Sequence, residues 1–126
     1  MKEENEDIVK LVSNLKKGIF HAQVLAPLLC EVYFHLCRPR GKDYASMKVS
    51  SLPAAYSIEI IPVDMRITIR AGQLKCQYQH VLSYNDCLSI AYCLESKLTF
   101  HTTEKKLKTY PSYVLEHLKV VKYSWD

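Results

Sequence analysis

Three acids, Glu31, Asp86 and Glu104, stand where their type and surroundings could do chemistry. Asp86 lies in LSYNDCLSIAYCLE, three residues after Ser83, in the first turn of an expected helix. Glu104 follows the apolar stretch Leu98 to His101, just past an expected strand. Glu31 interrupts LAPLLCEVYFHL, close to Leu28, Leu29 and Val32. An acid in so apolar a stretch is either paired or in use, because a lone buried carboxylate is expensive. Two carboxylates at 4 Å repel by roughly 4 kcal/mol at an effective dielectric of 20. A hard divalent cation such as Mg2+ or Mn2+ cancels that repulsion and prefers oxygen ligands. Each acid also has a local reading. Asp86 could be the capping partner of Ser83. Glu31 could turn to water and meet His35 one turn later. Glu104 could favour a helix N-terminus.

The elements that must position these acids alternate between helices and short strands. Ile8, Leu11, Val12 and Leu15 recur at helical spacing, and Gly18 stops that helix. Ile19 to Val24 reads as a strand. Leu25, Leu28, Leu29, Val32, Tyr33 and Leu36 give a second apolar helix face, broken at Arg38, Pro39, Arg40 and Gly41. A weaker helix is expected from Tyr44 to Leu52, closed by Pro53. Ser57 to Val63 is rich in branched residues and reads as a strand ended by Pro62. Asp64 can cap a helix carrying Ile67, Ala71, Leu74 and Tyr78. Ser83 can cap the next, with Cys87, Ile90, Ala91 and Leu94 inside. Leu98 to His101 is a strand, Thr102 or Thr103 can cap a short helical turn, and Leu118 to Tyr123 is a last strand. Such alternation points to a layered α/β domain with a mostly parallel sheet flanked by helices. Ligands in open sheets of that kind bind beyond the carboxyl ends of the strands, where Glu104 is expected.

A chain of 126 residues is the size of one domain. With 48% hydrophobic and 24% charged residues it reads as globular rather than disordered. No apolar run approaches the ~20 residues that span a bilayer. The acidic start MKEENEDIVK lacks a signal-peptide core, so the expected location is the cytoplasm. The five cysteines, at 30, 37, 76, 87 and 93, form no CxxC pair and lack zinc-ligand spacing. Those at 30, 37, 87 and 93 read as small buried hydrophobes in a reducing compartment. Three glycines, at 18, 41 and 72, make no GxGxxG or Walker loop, which disfavours a nucleotide enzyme. The histidines at 21, 35, 80, 101 and 117 have no evident nucleophile partner, and interspersed strands fit a helix-turn-helix badly. A net charge of +4, with Lys105, Lys106 and Lys108 clustered after Glu104, permits nucleic-acid binding without demanding it.

Three segments resemble the PIN domain, the nuclease fold of many prokaryotic toxin ribonucleases. Ile19 to Leu36, IFHAQVLAPLLCEVYFHL, is similar to that family's strand followed by an acid-bearing helix, and Glu31 falls on the acid. LSYNDCLSIAYCLESKLTFHTTEKKL is similar to a helix reading LSxxDxxxIAxAxE, which places Asp86 on its aspartate. Thr103 and Glu104 match the Thr-Gly-Asp-like turn after the next strand, with glutamate for aspartate. SIEIIPVDMRITIRAGQLK resembles the strand and helix between these pieces. The resemblance implies one PIN-like domain over residues 1–126, with Glu31 and Asp86 as Mg2+ or Mn2+ ligands and Glu104 as an outer ligand. The family's first strand, which ends in its principal metal-binding aspartate, has no match here. The opening MKEENEDIVKL is similar to a helix beyond that strand. The resemblance therefore implies a domain truncated at its N-terminus and a ribonuclease relative weakened or inactive for want of that ligand. The alternative is a non-catalytic PIN-like binding or scaffold protein. RNA and an antitoxin-like protein are the partners implied. Sheet edges left open by the unmatched strand imply a homo-oligomer.

Overall fold

The computed structural model describes residues 6–102 and 109–123. The chain divides into two compact units, Val9–Val63 and Asp64–Asp126, the latter joined by Met1–Ile8.

Helix α1 (Glu6–Lys16), which enters the Val9–Val63 unit at Val9, leads to the parallel strands β1 (Ala22–Leu25) and β2 (Ile58–Ile61), linked through α2 (Leu28–Arg40) and α3 (Lys42–Tyr56). Ala22 stands opposite Ile58 and Leu25 opposite Ile61. The Ala22 N–H donates to the Ser57 carbonyl at 3.2 Å and the Ala26 N–H to the Ile61 carbonyl at 2.8 Å, extending the ladder at both ends. Acids in the first turn of α1 and Lys16 in its last complement the helix dipole. Gly18, at φ 73°, then turns the chain toward β1. The buried apolar residues here are Leu15, Leu25 and Ala45, a small core.

Three expectations for this unit are corrected. Residue Leu25 ends β1 rather than opening a helix. Helix α2 runs through Arg38 and Pro39 to Arg40, and α3 runs through Pro53 to Tyr56, so neither proline is a boundary. Each proline forfeits one backbone donor, but side-chain bonds hold the pair of helices. The Tyr33 hydroxyl donates to the Lys42 carbonyl at 3.1 Å and lies 3.0 Å from Ser46 Oγ. The reversal between the helices is made by Gly41 at φ 87°, whose N–H donates to the Cys37 carbonyl at 2.7 Å. The apolar stretch around Glu31 is also not a core helix, since no residue of α2 is buried. Cys30 is accordingly exposed and Cys37 half-buried.

The second unit is built as its capping residues suggest. Asp64 Oδ1 accepts the Ile67 N–H at 2.9 Å and starts α4 (Met65–Gln77), whose inner face is Ile67, Ala71 and Leu74. Ser83 Oγ accepts the Asp86 N–H at 3.1 Å and starts α5 (Tyr84–Ser96), which buries Cys87, Ile90, Ala91 and Cys93. These two faces pack together with Leu82 and form the larger core. Lys97 adopts a left-handed conformation at φ 56°, and the Leu98 N–H reaches back to the Cys93 carbonyl at 3.0 Å. That cap releases the chain into β3 (Phe100–Thr102). After α6 (Ser112–His117), a helix the sequence reading lacked, β4 (Val120–Lys122) pairs parallel to β3, with Phe100 opposite Val120. Phe100, Tyr110, Val114 and Leu118 complete the core of this unit. The short helix expected after Thr103 falls outside the described residues.

The fold is thus helix-rich α/β with parallel strands. Among the described residues these strands form two two-stranded sheets, β1 with β2 and β3 with β4. No helix among the described residues is long and apolar enough to cross a membrane.

Candidate functional site

Asp86 occupies the third position of α5, and its backbone N–H is taken by the Ser83 hydroxyl. A full capping box would also return the Asp86 carboxylate to the Ser83 N–H. No such return bond exists among the described residues, so helix capping does not use up this half-exposed carboxylate. Its charge is felt next door. Burial pushes the Cys87 thiol above its ordinary range; Asp86 adds to that rise and Lys75 opposes it. Lys75 is fixed by two carbonyls, donating to Gln79 O at 3.0 Å and Leu82 O at 2.7 Å, and its ammonium lies 5.0 Å from the Tyr84 ring centroid. A cation anchored so near the start of α5 is a feature sequence reasoning missed. In the sequence Lys75 is merely a basic residue in the last turn of α4, which dipole stabilisation alone would explain.

Glu31 lies in the first turn of α2, the helix that follows the carboxyl end of β1. Its side chain is 59% exposed, and Oε1 is 3.6 Å from His35 Nε2 across one helical turn. The local alternative is therefore present in the structure: this acid faces solvent and meets His35. Desolvation does not force a partner on it. Glu104 lies outside the described residues. Glu31 and Asp86 belong to different units, and the geometry of each is that of its own unit. Among the described residues no three His, Cys, Asp or Glu side chains are grouped to hold a metal ion.

Two other arrangements carry polar chemistry. Glu95, whose side chain is only 18% exposed, joins α5 to α4: Oε2 lies 2.6 Å from Arg66 Nη2 and Oε1 lies 2.9 Å from Arg70 Nη1. Across the β3–β4 sheet, His101 Nδ1 is 2.9 Å from the Tyr123 hydroxyl and the rings stack. Desolvation lowers the His101 pKa from its ordinary value, and burial raises that of Tyr123. A shallow depression of about 400 Å³ lies by the amino ends of β1 and β2, lined by His21, Gln23, Pro53 and Glu59 among others. Those ends are opposite to the ones where open parallel sheets bind ligands.

The PIN domain family model matches residues 2–112. The chain belongs to the PIN domain family. In fold it is similar to a chain of VapBC2 from Rickettsia felis, crystallised bound to a DNA fragment from their promoter. That likeness has a TM-score of 0.66 and 18% identity, and it covers 97% of this chain and 89% of the other. No curated protein sequence matches the chain. PIN membership spans both compact units, since the matched residues run through each. PIN domains are generally metal-dependent nucleases, which makes this chain a relative of a nuclease family. Glu31 and Asp86 supply the carboxylate oxygens that suit a hard divalent cation.

Proposed function

We propose that this PIN domain is a metal-dependent ribonuclease relative of low activity, with Glu31 and Asp86 as ligands to Mg2+ or Mn2+ and Glu104 as an outer ligand. The observation that carries this reading is the family match over residues 2–112, which includes all three acids. The carboxylate of Asp86, left over from capping, lends it support. A bound divalent ion supplies activation of water and stabilisation of phosphodiester charge. Glu31 and Asp86 hold the charge that attracts such an ion. Glu104 extends one methylene farther than the aspartate of the family turn, and a misplacement of roughly 1 Å is felt in catalysis. Glu31 is well exposed, and ordering a long exposed side chain on an ion costs side-chain entropy.

RNA is the proposed substrate. On the precedent of the DNA-bound VapBC2, an antitoxin-like protein is the proposed partner, in the cytoplasm. Each strand has one described partner, and pairing of an open edge between copies is the proposed basis of a homo-oligomer. A second reading, a non-catalytic PIN-like binding or scaffold protein, draws on Glu31, which is well exposed and meets His35 within its own helix. Cleavage of a labelled RNA with and without Mn2+ tests the two. Slow, metal-dependent cleavage lost in Asp86→Asn and Glu31→Gln is the expected result. Robust turnover lost in those variants would contradict the low activity. No cleavage at any Mn2+ concentration would leave the scaffold reading.

A further inference from the structure

One group of cations lies apart from Glu31, Asp86 and Glu104 in the sequence. Residues 38–48, RPRGKDYASMK, hold four cations and one acid, a net +3 where all 126 residues carry +4. Gly41, at φ 87°, turns the end of α2 into the start of α3, so these residues flank a single reversal of the chain. Arg38, Arg40, Lys42 and Lys48 are all exposed, and no ion pair among the described residues engages them. Two aromatic rings are interleaved. The Arg38 guanidinium lies 5.6 Å from the Phe34 ring centroid. Tyr44 holds both the Arg40 guanidinium, at 4.8 Å, and the Lys48 ammonium, at 5.6 Å. Phe34 is 52% exposed despite its size.

Helix electrostatics explains only part of this. Arg38 and Arg40 at the end of α2 complement its dipole, but Lys42 in the first turn of α3 opposes that helix's dipole. Unpaired cations beside accessible rings are the composition of a surface that tracks a phosphate backbone and stacks bases. Contact with the rings restrains the long side chains before any ligand arrives, which lowers the ordering cost of binding.

We propose that the α2–α3 corner, through Phe34, Arg38, Arg40, Tyr44 and Lys48, is a binding surface for single-stranded RNA. The choice of RNA among polyanions rests on the ribonuclease reading above; the charge and the rings stand without it. Phosphates meet Arg38, Arg40 and Lys48, and bases lie against Phe34 and the arginine planes.

The test is fluorescence anisotropy of a labelled 12-nucleotide polyuridine, in EDTA so that cleavage cannot intervene. Replacing Arg38, Arg40 and Lys48 together by alanine is expected to weaken binding at least tenfold. The slope of log affinity against log salt should shrink by about 2, since each single-strand phosphate contact contributes about 0.7. Lys48→Gln alone, which alters one exposed side chain, should shrink it by about 0.7 and guards against a folding defect in the triple variant. Unchanged affinity and slope would overturn the proposal. Equal or tighter binding of duplex DNA or polyglutamate, through the same residues, would overturn RNA as the occupant. Asp86→Asn should leave this binding intact, so loss of cleavage and loss of binding report on separate claims.

Discussion

Asp86 and Glu31 differ in how their surroundings leave them available. The Ser83 hydroxyl needs only the backbone of Asp86, so the carboxylate remains half-exposed and uncommitted to the cap. Glu31 is tied to its own helix by proximity to His35, at 3.6 Å between exposed groups, an arrangement worth only a few tenths of a kcal/mol. Ser83→Ala should therefore destabilise the fold by about 1 kcal/mol, while His35→Ala should change a denaturation midpoint little. Thiol reactivity is a second check at this scale. Burial pushes the Cys93 thiol up to about 11, and Cys87 is buried with it, whereas Cys30 and Cys76 are exposed. Alkylation of native protein near neutral pH should modify Cys30 and Cys76 and spare Cys87 and Cys93; labelling at Cys93 before unfolding would contradict the packing. The caps at Asp64 and Ser83 were readable from sequence because a cap is a local event, set by side chains within three residues. The exposure of Glu31 was not, because burial of an apolar stretch depends on what packs over it.

Among the elements, the α4–α5 pair carries the largest share of the described core and a shared ionic link. Ile90 is fully buried, and Ile90→Ala should cost about 2–5 kcal/mol through lost transfer energy and a cavity. Glu95→Gln removes the charge that Arg66 and Arg70 share. Arg66 is 79% exposed, which discounts its part, so about 1 kcal/mol is expected, most of it through Arg70. The β3–β4 pair gives a pH signature. Desolvation depresses the folded-state pKa of His101 below its ordinary 6.5. On acidification the unfolded chain takes up the proton first, so stability present above about pH 6.5 falls as pH drops toward the folded pKa. Melting temperature followed from pH 7.5 downward should decline less steeply in His101→Gln. Helical periodicity made α4 and α5 legible, and branched residues did the same for β2. Pro39 and Pro53 look like boundaries in the sequence yet lie inside helices, because the Tyr33 bonds to Lys42 and Ser46, which hold α2 against α3, join residues nine and thirteen apart. Helix α6 escaped notice because its six residues are too few for a period to declare itself.

At the scale of the molecule, family kinship was legible where short motifs sit on well-formed elements, above all around Asp86 in α5. Sheet assembly was legible only in part. Parallel pairing was expected and is present, but among the described residues it occurs as two pairs of strands, because strand order depends on partners far apart in sequence. Open edges of parallel pairs invite strand addition, so light scattering across micromolar concentrations should show a dimer or larger species; a strict monomer would argue against it. The metal reading makes a sharper demand. If carboxylates at 31, 86 and 104 serve one cation, Mn2+ taken up by the protein should disappear from the free-ion electron paramagnetic resonance signal as a weak, saturable site. That uptake should be lost in Asp86→Asn and reduced in Glu31→Gln and Glu104→Gln. Uptake identical in the wild type and all three variants, or none in the wild type at millimolar Mn2+, would contradict a shared metal site.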